Sequence, residues 1–120
     1  ATQNHLIVEG AGGLLVPLNH QQTLADWIKP ELEVVVVTKN YLGSINHTLL
    51  TLETLKNRGV QVKGLIVNGE NNSSSEEIIQ ELSGIPVLFR IPVMNEVNEK
   101  TIQEVAASMK EEIQKALLYE

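Results

Sequence analysis

An α/β fold with a mainly parallel sheet flanked by helices is predicted by three features of this chain. Continuous apolar runs, residues 34–37 above all, have the character of strands buried on both faces. Apolar residues at helical spacing, such as Ile45, Leu49, Leu52 and Leu55, follow one of these runs. Strand-type and helix-type segments then alternate through short connections, which is the pattern of βαβ units.

Taken in order, Leu6, Ile7 and Val8 predict a first strand that ends on Glu9 and the turn Gly10, Ala11, Gly12, Gly13. Residues 14–18 are apolar but hold Pro17, which has no ladder donor and suits an edge or a loop. Thr23 is placed to cap a short helix over 24–28, stopped by Pro30. Four consecutive β-branched residues at 34–37 predict a second strand, expected to be fully buried. Ser44 is expected to cap a helix over 44–58 that Gly59 ends. Residues 62–67 read as a third strand, followed by a polar loop over 68–74. Ser75 is expected to cap a helix with Ile78, Ile79 and Leu82 inward, closed by Gly84. Residues 87–91 make a fourth strand, ended by Pro92. Thr101 and Glu104 have the spacing of a capping box and open a last helix reaching about residue 118. Its buried face is expected to carry Ile102, Val105, Met109, Ile113 and Ala116.

A chain of 120 residues is one domain or part of one. Net charge of -6 and a pI near 5.0 leave no basic stripe to displace counterions, which argues against nucleic acid and anionic membranes as partners. Without cysteine, disulfides and thiolate metal sites are excluded. There is no apolar run long enough to span a bilayer and no signal-peptide pattern, so a cytoplasmic globular domain is expected. His5, His20 and His47 lack metal-ligand spacing; His47 is expected to pack or to hydrogen-bond.

Two places carry chemistry. In open parallel sheets ligands sit beyond the carboxyl ends of the strands, and Glu9 is predicted to stand at such an end. The glycines behind it allow close backbone approach to a ligand; the alternative is a plain strand terminus and loop. Gly43, Ser44, Ile45 and Asn46 open a helix whose free N–H groups and dipole suit a carboxylate; the alternative is an ordinary cap.

The runs Val8-Glu9-Gly10-Ala11-Gly12-Gly13, Leu24-Ala25-Asp26-Trp27 and Lys39-Asn40-Tyr41-Leu42-Gly43-Ser44-Ile45-Asn46-His47-Thr48-Leu49-Leu50-Thr51 resemble successive motifs of dethiobiotin synthase. Gly64-Leu65-Ile66-Val67-Asn68 and the pair Ile91-Pro92 extend the likeness over essentially the whole chain. The resemblance implies a P-loop NTPase-like fold in which residues 1–120 are the C-terminal portion of a single domain. It implies an ATP- and Mg²⁺-dependent ligase of biotin biosynthesis, joining 7,8-diaminononanoate and CO₂ into the ring of dethiobiotin. The family's phosphate cradle, G-x-x-x-x-x-G-K-T, is not in these 120 residues, so the chain alone is expected to be inactive.

On matching positions the resemblance makes Glu9 the Mg²⁺ ligand, with Gly10, Ala11 and Gly12 lying against the phosphates. Asn68 and Gly69 become adenine contacts, and Pro92, Val93 and Met94 the wall of the base pocket. Glu99 aligns with a further nucleotide contact, or is a solvated charge before a helix. Gly43, Ser44, Ile45 and Asn46 become the seat of the substrate carboxylate, contributed across a homodimer. No protein nucleophile is implied. Two other readings are a cobyrinic acid diamide synthase-type ATPase and a non-catalytic dimerising fragment.

Overall fold

The computed structural model describes residues 4–118; the ends of the expected 1–120 unit, residues 1–3 and 119–120, lie outside them. The elements are α1 (Leu24–Trp27), β1 (Val34–Thr38), α2 (Ser44–Asn57), β2 (Val62–Asn68), α3 (Ser73–Ser83), β3 (Val87–Ile91), α4 (Glu99–Ser108) and α5 (Lys110–Ile113), then a π-helical turn over Gln114–Leu118. The three strands form one parallel sheet in the order β1-β2-β3, with Val36 opposite Leu65 and Ile66 opposite Phe89.

Successive residues of a strand point to opposite faces, and this period builds two cores. Val36, Leu65 and Val87 face α2 and α3, where Leu52, Leu65 and Ile79 are buried together with flanking Ile45 and Leu49. Their neighbours Val35, Ile66 and Leu88 pack on the other side with Phe89, Met109, Val105 and Ile113 against α4 and α5, the alternation breaking at Leu88-Phe89, where the register of β2 and β3 shifts. Gly64 lets the two strands approach: a Cβ there would stand 2.4 Å from Leu88 Cγ. The result is helices, sheet, helices, as the alternation requires.

The α/β class, the parallel pairing and the strands near 34–37, 63–67 and 87–90 match expectation, while the first strand does not. Leu6, Ile7 and Val8 are not paired and are largely exposed, Ile7 at 90%. A strand is made by a neighbour that accepts its ladder bonds, and no described segment pairs with this one; local pattern does not supply the partner. The described sheet therefore has three strands rather than four. For the same reason β1 is outermost rather than fully buried, and Val37 is exposed.

Helix starts are corrected too. Gly43, at φ 96°, precedes α2, so Ser44 is its first residue and is buried rather than a cap. The cap of α3 is Asn72, whose Oδ1 accepts from Ser75 N–H at 3.2 Å, so Ser75 lies inside the helix. The cap of α4 is Asn98: its Oδ1 accepts from Thr101 N–H and its own N–H donates to Thr101 Oγ1, both at 3.0 Å. Thr101 is thus the reciprocal partner of the capping box, with Asn98 taking the role assigned to it. Leu82 and Ile102 are exposed rather than inward, because α3 and α4 cover the sheet with narrower stripes than the apolar pattern suggests. Thr23 does precede α1, with its N–H and Oγ1 donating to Asp26 Oδ2 at 2.7 and 2.8 Å. The Thr23 backbone bond, then Arg58 at 2.7 Å, holds the Asp26 carboxyl well below the usual carboxylate range.

Candidate functional site

All three strands run parallel, so their carboxyl ends open on one side of the sheet, where ligands gather in such folds. Two loops meet there. Asn68 ends β2 opposite Ile91 of β3, and Gly69 N–H donates to Ile91 C=O at 2.8 Å. Asn68 and Gly69 thus lie next to the residue that precedes Pro92 in the chain. Asn68 is exposed, and its amide makes no hydrogen bond to the described residues. It keeps both donor and acceptor for a ligand edge.

Beyond β3 an open hollow of about 410 Å³ is lined by Met94, Asn95, Glu96, Thr101, Glu104 and Val105. Of the expected pocket wall, Met94 reaches this hollow, whereas Pro92 and Val93 are exposed outside it. Glu99 opens α4 and accepts from Gln103 Nε2 at 3.1 Å; it does not line the hollow.

The second loop leads from β1 into α2. Tyr41, Leu42, Gly43, Ser44, Ile45, Asn46, Leu49 and Ser75 line an open cleft of about 560 Å³. All four residues expected to hold a carboxylate therefore share one wall. Gly43 has no side chain to cap the helix, and the first intrahelical bond belongs to His47 N–H, donating to Gly43 C=O at 3.0 Å. Ser44 N–H is used by Tyr41 C=O, also at 3.0 Å. The amides of Ile45 and Asn46 remain at the positive end of a 14-residue helix, with Leu42 fully exposed beside them. His47 behaves as expected: its Nδ1 bonds Tyr41 Oη at 2.7 Å.

Glu9 does not stand at the end of a sheet strand as expected, because residues 6–8 are unpaired; with Gly10, Ala11 and Gly12 it lies in an exposed loop, Gly12 at φ 87° and Gly13 at φ 93°. Among the described residues the Glu9 carboxylate has no hydrogen-bond or ion-pair partner. A Cβ at Gly10 would meet Leu24 Cδ2 at 2.3 Å, so the turn lies directly on α1. Among the described residues no three His, Asp or Glu side chains cluster into a cation cage. One free carboxylate suits Mg²⁺, which keeps waters and takes one or two protein oxygens beside phosphates.

Sequence reasoning missed Glu76 and Arg90. Glu76 lies in the first turn of α3, where an acidic residue reads as a solvated dipole partner, yet it is buried. Its carboxylate pairs with Arg90, accepts from Asn40 Nδ2 at 3.0 Å and accepts from Asn72 N–H at 3.1 Å. The available signal was Arg90 itself, a charge inside the apolar strand β3 that needs a partner. Burial alone would raise the Glu76 pKa; the bonds from Arg90, Asn72 and Asn40 outweigh it and hold the group below its ordinary 4.5. A depressed folded-state pKa contributes stability above the unfolded value, lost as pH falls through the folded one. Urea midpoints are expected to be flat near neutrality and to drop below about pH 4.5, with the Glu76 share of that drop missing in Glu76→Gln.

A family model described as AAA domain matches residues 1–101. The chain belongs to this AAA family. AAA domains are P-loop NTPases, so the expected fold family stands. Within it the chain is similar to "ATP-dependent dethiobiotin synthetase BioD" of Christiangramia forsetii, 40% identical over 112 residues, 93% of this chain and 54% of that protein. The same enzyme of Cytophaga hutchinsonii is 44% identical over 107 residues, 88% and 52% of the two chains. That of Bacillus cereus is 41% identical over 117 residues, 92% and 48%. The resemblance read from the motifs is thereby established: this AAA chain is a homologue of dethiobiotin synthetase. It spans about half the length of the curated relatives it matches. No helix of the described residues is long and apolar enough to cross a membrane.

Proposed function

We propose that the chain supplies the substrate-carboxylate seat, the adenine-reading residues and one Mg²⁺ ligand of a dethiobiotin-forming, ATP-dependent ligase. The observation that supports this most is the cleft at the start of α2. Its helix N-terminus has no side-chain cap, and it carries apolar Leu42, Ile45 and Leu49 on the same wall. A carboxylate on an alkyl chain matches that combination: the charge meets the Ile45 and Asn46 amides and the chain lies along the leucines. The 7,8-diaminononanoate substrate has this form. ATP is read at its base by Asn68 and Gly69, with Pro92, Val93 and Met94 beside them and Glu99 further out. Glu9 takes Mg²⁺, which neutralises charge on the transferring phosphoryl group, while Gly10, Ala11 and Gly12 lie against the phosphates. CO₂ is the second small substrate. These residues bind and orient; none acts as a nucleophile.

Titration of the ¹⁵N-labelled chain with 7,8-diaminononanoate tests the central observation. The amides of Ile45 and Asn46 are expected to shift with the carboxylate; shifts elsewhere only would overturn this assignment. The 120 residues hold no phosphate-cradling G-x-x-x-x-x-G-K-T, so no dethiobiotin is expected from the chain alone. Turnover should appear when the P-loop half of a relative is supplied in trans. Dethiobiotin made by the pure chain would show that the site is complete without it.

A homodimer belongs to the same proposal, with α2 packing on its symmetry mate through Leu50 and Thr51. Leu50 is 53% exposed on α2, an apolar group available for an isologous contact. Leu50→Asp would bury a charge in that contact, so light scattering should find monomers that still bind ATP but lose the diamine. Monomers with unchanged diamine affinity would remove the cross-subunit element.

A further inference from the structure

We propose that Glu76 and Arg90 form a positioning clamp that presents Asn68 to the base of a purine nucleotide. This rests on the reading of Asn68 as a base contact. The loop between Asn68 and α3 has four residues, and each of them is held by this pair. Arg90 Nη1 donates to Gly69 C=O at 3.5 Å and to Glu70 C=O at 3.1 Å. Its Nη2 donates to Asn71 Oδ1 at 3.1 Å and to the Glu76 carboxylate. Glu76 Oε1 in turn accepts from Asn72 N–H. Asn40, at the exit of β1, donates to Glu70 C=O at 2.9 Å and to Glu76 Oε1, tying a third strand end to the same carboxylate.

A helix cap or a surface ion pair needs far fewer bonds than this. Removing Glu76 from water costs free energy unless its partners are well placed, and here those partners converge on the one loop that follows the exposed Asn68 amide. Gly69 turns at φ 103° between them. Reading a purine edge with one amide requires the donor and acceptor to be fixed within a fraction of an ångström. A planar guanidinium that spans two carbonyls, a side-chain amide and a carboxylate supplies such fixation, and an ammonium does not.

The test is titration of the ¹⁵N-labelled chain with adenosine and, separately, guanosine. In the unaltered chain the Asn68 side-chain amide is expected to shift with adenosine and not with guanosine. Arg90→Lys keeps the charge opposite Glu76 but loses the fork; it should weaken adenosine about tenfold and erase the preference, with the sheet resonances still dispersed. Asn71→Ala removes one exposed acceptor without touching the core and should weaken adenosine by about threefold or more; it decides the matter if Arg90→Lys does not fold. If Asn68→Ala leaves adenosine binding and preference unchanged, or the unaltered chain shows no adenosine response, the base-reading assignment fails and the clamp with it. If Asn68→Ala abolishes the preference while Arg90→Lys or Asn71→Ala binds as the unaltered chain does, the assignment stands and the clamp is overturned.

Discussion

Glu9→Gln, in the chain completed by a P-loop half, is expected to slow dethiobiotin formation by about 100-fold or more while the diamine still binds. The substitution keeps the shape and removes one negative charge from an exposed loop whose carboxylate has no partner among the described residues. Loss of a group that merely orients a metal ligand already costs about 10–100-fold; loss of the ligand's charge belongs at or beyond the upper end. The deficit should be largest at limiting Mg²⁺ and should recover partly as Mg²⁺ is raised, because the cation then compensates for the weaker site by mass action. Steady-state rates across a Mg²⁺ series, beside diamine titration, measure both halves of the expectation. Equal turnover at limiting Mg²⁺ would make Glu9 an ordinary loop residue.

Leu65→Ala is expected to lower the unfolding free energy by about 2–5 kcal/mol, the cost of an unfilled cavity in a packed core. Leu65 lies at the centre of β2, 1% exposed, between Leu52 of α2 and Ile79 of α3. Domains of this size hold about 5–15 kcal/mol in total, so the variant stands at the margin of folding. Urea unfolding should show a lower midpoint at an unchanged slope. Leu82→Ala is the control: Leu82 is 66% exposed on α3, and the change should stay within about 0.5 kcal/mol. A similar loss at both positions would mean that α3 packs by another face.

Much of this arrangement is legible in the residues because local physics and tertiary packing agree on it. Residues 34–37 and 62–67 are strands because β-branched and apolar side chains suit a covered sheet, and the alternation of Leu65 with Ile66 then fixes which core each enters. The start of the helix at residue 44 was legible from Gly43 and the apolar spacing that follows, but its lack of a side-chain cap was not, because Ser44 reads as a cap and is instead the first, buried helical residue. Leu6, Ile7 and Val8 show the opposite case. Their strand character depends on a neighbour that sequence pattern cannot provide, so a correct propensity gave an incorrect element. The cap positions failed by one to three residues since Gly43, Asn72 and Asn98 compete with nearby Ser44, Ser75 and Thr101, all good cap types. Glu76 was illegible for another reason: besides the local Asn72, its partners Asn40 and Arg90 stand 36 and 14 residues away in the chain. Only the fold brings them to one carboxylate.

The outermost position of β1 also has a colloidal consequence. Among the described residues, one side of Val34–Thr38 pairs with no strand, and the strand holds no proline and no lysine to block a newcomer. Such a ladder accepts any extended apolar segment, and Leu6, Ile7 and Val8 of another copy are one. Concentration is thereby expected to act as a structural variable for this chain. Dilute solutions are expected to hold the three-stranded sheet as described, and concentrated ones to favour strand addition from molecule to molecule, an open-ended pairing with no symmetry to close it.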